Sequence, residues 1–246
     1  MKNISKYDYE IGKFINYSLN NKFLRDLPVY FGLIPYEIYV LPGMYIAIIL
    51  TIINKSISPI RFHLLPHFFA YSFFQLLKSN VYRVRPGCKK KNTKIFNIDK
   101  GHCDKRTFKQ SFPSGHTGIA FSLATALAYE MYYTEDSRFF EIPIKDKKTK
   151  NIIVFLGFSV AIFVAIHRIA KGYHHFSDTI IGAILGISIG VISSTVLYKR
   201  EENAKEKNLL SDNKKYILDI ILICFILFLL YRFLTIDLYQ LTSIKH

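Results

Sequence analysis

Three short stretches of the sequence carry side chains suited to phosphate chemistry, and the first is KSNVYRVRP at 78–86. Six residues separate Lys78 from Arg85, and a proline follows the arginine. Arginine offers a planar fork of donors to a phosphoryl group, and lysine offers a compact charge. Basic residues at the end of an apolar segment are also common as membrane flanks, so this stretch alone is open to both interpretations.

The second stretch, SFPSGHTG at 111–118, stands at the start of a long apolar run. Pro113 favours a helix start, and Ser114 and Gly115 would then present a hydroxyl and backbone N–H groups to an anion. His116 falls in the first turn, where its ring could pass a proton to a leaving group. The plainer interpretation is a serine N-cap followed by an incidental histidine.

The third stretch is HRIAKGYHHFSD at 167–178, in which five residues separate Arg168 from His174 and three separate His174 from Asp178. A helix that begins there would place the histidine and the aspartate on one face. An aspartate behind a histidine fixes the tautomer of the ring and raises its basicity or nucleophilicity. His175 lacks this spacing, so we assign it to structure or to the rim of the site. An interfacial loop with incidental polar residues is the alternative interpretation.

The elements that position these stretches are predicted from the apolar runs. Half of the 246 residues are hydrophobic, and a membrane-spanning helix needs about 20 mostly apolar residues. Six runs are candidates: 28–53, 60–77, 115–133, 152–170, 177–197 and 216–234. Only helices and closed barrels satisfy their backbone polar groups in lipid, and these runs lack the alternation of barrel strands. We therefore predict an all-α, polytopic membrane helical bundle with about six transmembrane segments, or five if one N-terminal segment is interfacial.

The bundle is predicted to form a single integral-membrane domain over 1–246. Its N-terminus at 1–27 is polar with scattered aromatic residues, which is typical of an interfacial amphipathic helix. Three glycines recur every four residues in the segment 177–197, at Gly182, Gly186 and Gly190. Such a stripe lets two helices approach closely in lipid, so it predicts packing and not chemistry.

Counting membrane crossings brings the three stretches together. The first follows the second segment, the second opens the third segment, and the third joins the fourth segment to the fifth. Even-numbered crossings return the chain to the same side of the membrane. We therefore expect one membrane face to gather Lys78, Arg85, Ser114, His116, Arg168, His174 and Asp178.

Taken jointly, the three stretches resemble the signature of the type 2 phosphatidic acid phosphatase superfamily, which includes lipid phosphate phosphatases and vanadium haloperoxidases. The spacings match in all three parts and in order, and the resemblance covers roughly residues 60–197, the expected catalytic core. One position departs from the pattern, because the family usually has serine before the arginine of the third part and this chain has His167. The departure leaves the local hydrogen bonding open.

The resemblance implies an integral membrane hydrolase that removes phosphate from a lipid phosphate such as phosphatidate. His174 would attack phosphorus and form a phosphohistidine, and Asp178 would orient and charge-balance its ring. His116 would protonate the leaving group and later help to activate water. The phosphoryl oxygens would be bound by Lys78, Arg85, Ser114, Gly115 and Arg168.

No metal or other cofactor is expected, because cations and amides would neutralise the phosphate and the sequence has no carboxylate cluster for Mg²⁺. The net charge is +15, and the basic residues lie mainly between the apolar segments. This distribution favours membrane lipids and lipid phosphates as partners over nucleic acid. Nothing in the sequence indicates the oligomeric state.

Two further expectations concern the side of the membrane. The family more often places its active site on the exoplasmic or lumenal face, and we expect that here, although 20 of the 33 lysines and arginines lie on the active face or the termini. An oxidising face would allow a disulfide between Cys88 and Cys103, with two free thiols as the alternative.

Other functions remain open beside hydrolysis of a phosphomonoester. The same site could serve a polyprenyl or dolichyl diphosphate phosphatase, or a lipid phosphotransferase that passes the phosphoryl group to an acceptor. A non-enzymatic scaffold is disfavoured by the intact histidine pair and Asp178. Haloperoxidase chemistry is disfavoured because those relatives are soluble and this chain is rich in apolar segments.

Overall fold

The computed structural model describes residues 2–19, 49, 65–89, 96, 103, 108–133, 138–139 and 142–206. The predicted segment 216–234 lies outside the described residues, as does all of 28–53 except Ile49. The chain divides into two compact units, residues 1–197 and 198–246. The second unit is described only over residues 198–206, which are helical.

The described elements are helical with one short exception. In chain order they are α1 (Lys2–Ser18), α2 (Leu65–Asn80), a 3₁₀ helix (Pro86–Cys88), α3 (Gly115–Tyr133), β1 (Arg138–Phe139), β2 (Ile142–Pro143), α4 (Lys147–Ala170) and α5 (Phe176–Glu206). The two strands pair in antiparallel fashion over two residues each. The all-α class is confirmed for the described residues, apart from this small ladder.

Two helices are long and apolar enough to cross a membrane, Lys147–Ala170 and Phe176–Val196, with mean hydropathies of 2.3 and 2.0. Large apolar side chains on both point away from the protein, among them Phe155 at 70% exposed and Ile192 at 63%. Small polar side chains lie inside instead, such as Ser122 at 0%. This reversal of the soluble pattern is typical of helices that face lipid. The count of six segments stays a prediction.

Close contact between α3 and α5 depends on the glycine stripe. A Cβ atom at Gly182, Gly186 or Gly190 would lie 2.7, 2.1 or 2.6 Å from a backbone carbonyl oxygen of α3 or of the residue before it. On the other side of α3, the Phe74 ring fills the space above Gly118, where a Cβ would lie 1.9 Å from the ring. Phe74 packs there with Ala70 and Ile119. The packing role predicted for the stripe is confirmed.

Loop contacts fix the helix ends that carry the site. The extended residues 81–85 pair with 108–111, because Arg83 N–H donates to the Lys109 carbonyl and Ser111 N–H donates to the Arg83 carbonyl, both at 2.9 Å. Gly172 has a φ of 69° and turns the chain between α4 and α5, a conformation that glycine adopts without strain. Its carbonyl accepts from Gly87 N–H at 2.9 Å.

Two long-range links complete this end of the unit. Cys88 and Cys103 form a disulfide with an S–S distance of 2.05 Å. Helix α1 lies against the same region, since Asn16 Nδ2 donates to the Ala170 carbonyl at 2.7 Å. A Cβ atom at Gly12 would meet Phe96 and Ile169 at 3.6 and 3.8 Å. The N-terminal helix is thus docked on the loops that carry the predicted site.

The packing of α3 on α5 predicts a steric effect of Gly186→Ala. The added methyl group meets a backbone oxygen that cannot rotate away, so we expect the variant to lose about 1–3 kcal/mol of stability. Thermal unfolding of the purified chain in detergent, followed by circular dichroism, measures the loss. Gly157→Ala is the matched control, because its nearest neighbour is the end of the flexible Leu127 side chain at 3.0 Å. Equal melting temperatures for the two variants would contradict the packing described.

Candidate active site

The residues predicted from the three stretches are brought together at one end of the bundle. Each lies at a helix end or in a connecting loop: Lys78 in the last turn of α2, Arg85 before the 3₁₀ helix, Ser114, Gly115 and His116 at the start of α3, Arg168 in the last turn of α4, His174 between α4 and α5, and Asp178 in the first turn of α5. All are buried except His116, which is half-buried. Ionisable side chains this deeply buried require compensating partners.

Three buried cations surround the start of α3. The charges of Arg85, Lys78 and Arg168 all act on the ring of His174. A Cβ atom at Gly115 would lie 3.2 Å from Lys78 Nζ, so the glycine allows the ammonium group to approach the helix backbone. The first N–H groups of a helix and its positive dipole end also attract anions. The arrangement is therefore suited to bind a doubly charged phosphoryl group.

The backbone and one aromatic ring hold two of these cations in place. Arg85 Nη1 donates to the Tyr173 carbonyl at 3.0 Å. The Arg168 guanidinium lies over the Tyr173 ring, with Cζ 5.1 Å from its centroid. His167, the departure from the family pattern, packs edge-on against the same ring at 6.1 Å between centroids. His167 thus supports Tyr173, and no role for Tyr173 was predicted from the sequence.

His174 is held in one tautomer. Its Nδ1 lies 2.5 Å from the Ser111 carbonyl oxygen, and a carbonyl can only accept, so the proton is on Nδ1. Nε2 then carries a lone pair. Burial and the charges of Arg85, Lys78 and Arg168 hold the pKa of His174 well below its ordinary value, although the bond to Ser111 acts in the opposite direction. The ring is therefore neutral at physiological pH and can act as a nucleophile.

Asp178 is linked to His174 through Ser111 and makes no direct hydrogen bond to the ring. His174 precedes α5, which begins at Phe176, so the two residues do not share a helical face. Asp178 Oδ2 lies 4.0 Å from His174 Nδ1 and instead accepts from Ser111 Oγ at 2.6 Å and from His175 N–H at 2.9 Å. Ser111 therefore links the two side chains, and the role of Asp178 in orienting the ring stays a prediction.

His175 contacts the backbone of the segment before the 3₁₀ helix. Its Nε2 lies 3.1 Å from the Val84 carbonyl oxygen, and burial is the main cause that lowers the pKa of its ring to about 4. The ring therefore donates to the backbone as a neutral group. This contact is in keeping with the structural assignment made from spacing.

Four further residues contact the predicted ones and were not predicted from the sequence: Asp8, Arg83, Ser111 and Ser177. Arg83 contacts Asp178 Oδ1, Ser177 Oγ and Asp8 Oδ2, and Ser111 joins His174 to Asp178. Arg83 could have been found, since it alternates with Arg85 in an extended segment and so faces the same side. Asp8 gave no signal, because an acidic residue in a polar helix is most often solvated.

Clusters of metal ligands are absent from the described residues. No group of three histidine, cysteine, aspartate or glutamate side chains in that part of the chain is placed to hold an ion.

Comparison with protein families gives one match over more than half of the chain. The model of the PAP2 superfamily matches residues 60–202, a range that contains all three stretches.

Curated relatives match over shorter regions. The chain is 34% identical over 95 residues to the probable lipid phosphate phosphatase 4 of Arabidopsis thaliana, which covers 37% of this chain and 30% of the relative. It is 33% identical over 84 residues to the lipid A 1-phosphatase of Porphyromonas gingivalis, which covers 34% of this chain and 16% of the relative. The matches thus span less than a third of the length of these relatives.

A solved structure shares the fold. The crystal structure of a transmembrane PAP2 type phosphatidylglycerolphosphate phosphatase from Bacillus subtilis superposes with a TM-score of 0.62 at 20% identity. The superposition covers 81% of this chain and 88% of that chain.

Proposed function

This chain belongs to the PAP2 superfamily, and we propose that it is an integral membrane phosphatase that hydrolyses a lipid phosphomonoester such as phosphatidate. The observation that carries the proposal is a neutral, tautomer-fixed His174 among three buried cations beside the N-terminus of α3. A nucleophile without charge and a binding site with strong positive charge are what attack on a phosphate dianion requires.

In the first step, the lone pair of His174 Nε2 attacks phosphorus while the bond from phosphorus to the lipid oxygen breaks. His116, protonated in the complex with the dianionic substrate, donates its proton to that oxygen, so the lipid leaves as a neutral alcohol. The imidazole gains a positive charge on becoming phosphohistidine. Asp178 compensates this charge through Ser111, whose carbonyl accepts from Nδ1 and whose hydroxyl donates to the carboxylate.

In the second step, water attacks the phosphohistidine and the P–N bond breaks, returning the electron pair to Nε2. His116, now neutral, accepts the proton from the water. Inorganic phosphate leaves, and both histidines regain their starting state. The bond that forms in each step replaces the bond that breaks, so no oxidant or reductant is needed.

Charge neutralisation comes from the chain itself. Lys78, Arg85 and Arg168 bind the phosphoryl oxygens, together with the Gly115 N–H and the Ser114 hydroxyl. Ser114 Oγ lies 2.9 Å from Thr117 Oγ1, so Thr117 can donate to it and leave the Ser114 proton for the substrate. Preorganised donors of this kind supply a large share of transition-state stabilisation. We propose that hydrolysis therefore needs no metal ion.

The exposed aromatic residues of α1 indicate how the protein meets the membrane. We propose a single domain with about six transmembrane segments and an interfacial α1. Three aromatic side chains of α1 are more than half exposed, Tyr7, Phe14 and Tyr17, and Lys13 lies 6.0 Å from the Tyr17 ring. Aromatic and basic residues on one helix are typical of the boundary between head groups and acyl chains. Lipid phosphate would then reach the site from the bilayer surface.

We propose that the active face is exoplasmic or lumenal, which the disulfide between Cys88 and Cys103 supports because disulfides persist in oxidising compartments. A membrane-impermeant maleimide applied to intact cells that express the full chain is expected to label these cysteines only after reduction. The double variant Cys88→Ser with Cys103→Ser is the control. Labelling that appears only after permeabilisation would place the active face in the cytoplasm.

The identity of the lipid is a second question, because the same geometry would serve a diphosphate. The relatives are named for lipid phosphate, lipid A 1-phosphate and phosphatidylglycerolphosphate, which share a phosphate group at a membrane surface. A polyprenyl or dolichyl diphosphate phosphatase differs only in its leaving group. A lipid phosphotransferase differs only in the acceptor of the second step.

Phosphate release by the purified chain in detergent, with EDTA present, tests the proposed function. Phosphatidate, phosphatidylglycerolphosphate and a polyprenyl diphosphate are offered in parallel. We expect release from phosphatidate, a fall by a factor of about a thousand or more in His174→Ala, and most of the activity in the neighbouring control His175→Gln. Release that needs a divalent metal, or that survives in His174→Ala, would contradict the mechanism. A product that forms only with a lipid acceptor would identify a transferase.

A further inference from the structure

Arg83 lies between two buried carboxylates from distant parts of the sequence. Its Nη2 donates to Asp8 Oδ2 at 2.7 Å, while Nη1 donates to Asp178 Oδ1 and, at 2.7 Å, to Ser177 Oγ. The side chains of Asp8 and Asp178 are 3% and 0% exposed. A guanidinium fork that reaches two buried carboxylates fixes both of them in position.

Asp8 also holds the start of α5. Its Oδ1 accepts from the Ser177 N–H at 2.9 Å and its Oδ2 accepts from the Ser177 hydroxyl at 2.7 Å. That N–H has no partner within the helix, and the positive helix end favours a carboxylate. Burial raises the pKa of Asp8, but hydrogen bonds from Ser177 and Arg83 outweigh burial and hold the pKa below its ordinary value. Asp8 is therefore ionised at neutral pH and ties α1 to the residue before Asp178.

A chain of contacts leads from this pair to the proposed nucleophile. Arg83 occupies Oδ1 of Asp178, which leaves Oδ2 to accept from Ser111 Oγ at 2.6 Å. The carbonyl of Ser111 in turn accepts from His174 Nδ1. Since Asp178 makes no direct hydrogen bond to the ring, the position of its carboxylate acts on His174 through Ser111.

We propose that Asp8 and Arg83 are positioning residues that hold Asp178 and Ser111 so that His174 Nε2 faces the phosphorus atom. The inference rests on the proposed function and extends it to α1, a helix outside the three stretches. Neither residue is among the side chains that bind the phosphoryl oxygens. Loss of either one therefore slows the chemical step more than it weakens substrate binding.

Asp8→Asn and Arg83→Lys test the inference, with Glu10→Gln as the matched control because Glu10 is exposed on the same helix. We expect kcat to fall by about 10- to 100-fold in both test variants while KM changes by less than about twofold. Lysine keeps the charge of Arg83 but cannot reach both carboxylates. Glu10→Gln is expected to keep the kcat and KM of the unaltered chain.

Two readouts separate positioning from a loss of folded protein. The stoichiometry of orthovanadate binding counts intact sites, so a merely structural role would lower the stoichiometry and leave kcat per site unchanged. The proton on His174 Nδ1, observed by NMR and assigned by its absence in His174→Ala, is expected to shift or broaden in Asp8→Asn and Arg83→Lys but not in Glu10→Gln.

The outcomes are distinguishable from failure of the proposed function. If the unaltered chain releases no phosphate from any lipid, the proposed function is wrong and the Nδ1 proton alone decides whether Asp8 and Arg83 position the ring. If the unaltered chain is active and both test variants keep its kcat, the positioning role is overturned. An Nδ1 proton that is unaffected in both variants overturns it as well.

Discussion

Burial of three basic side chains beside one helix N-terminus is the constraint on which the rest of the site depends. Burial, with the neighbouring Arg85 and Arg168, lowers the pKa of Lys78 to about 7. Lys78, Arg85 and Arg168 are each at most 9% exposed, and like charges held together away from water are costly unless an anion or a polar partner compensates them. The Tyr173 carbonyl accepts from Arg85 and the Tyr173 ring lies under Arg168, and both contacts partly compensate the burial of these charges. A phosphate dianion placed among these side chains would add a compensating negative charge, so burial of the basic groups favours binding of the proposed substrate.

Helix packing fixes the position of His174 relative to the start of α3. Glycines at 182, 186 and 190 bring α5 against α3, which places the loop of His174 beside the N-terminus that carries Ser114 and Gly115. Ser114 N–H donates to the Asp178 carbonyl at 3.0 Å, so the two helix starts are joined by their backbones as well. A small shift of either helix would move the proposed nucleophile relative to the proposed phosphoryl-binding groups, and a misplacement of about 1 Å is enough to reduce catalysis strongly.

Much of this arrangement could be predicted from the sequence, and the exceptions have a physical reason. Spacing within each stretch picked out the seven residues, the count of membrane crossings predicted that they converge, and the glycine period identified the packed face. The link from Asp178 to His174 through Ser111 was not predicted, because the spacing argument supposed a helix that had begun at His174, whereas α5 begins at Phe176. Asp8 was missed because its partners are 75 and 169 residues away, and no local pattern encodes such a contact. Ser111 was missed because its partners Asp178 and His174 are 67 and 63 residues away. One of the two contacts also uses its backbone carbonyl, which the residue type does not reveal.

The most direct test of the central claim is to identify the atom that carries the phosphoryl group during turnover. The purified chain would be mixed with phosphatidate labelled with ³²P, denatured in alkali within the first turnovers, and its labelled peptide mapped by mass spectrometry. The account predicts an acid-labile, alkali-stable phosphoryl group on His174, absent from His174→Ala. A label on His116, on a serine or on a carboxylate, or a His174→Ala variant that still forms the labelled protein, would contradict it.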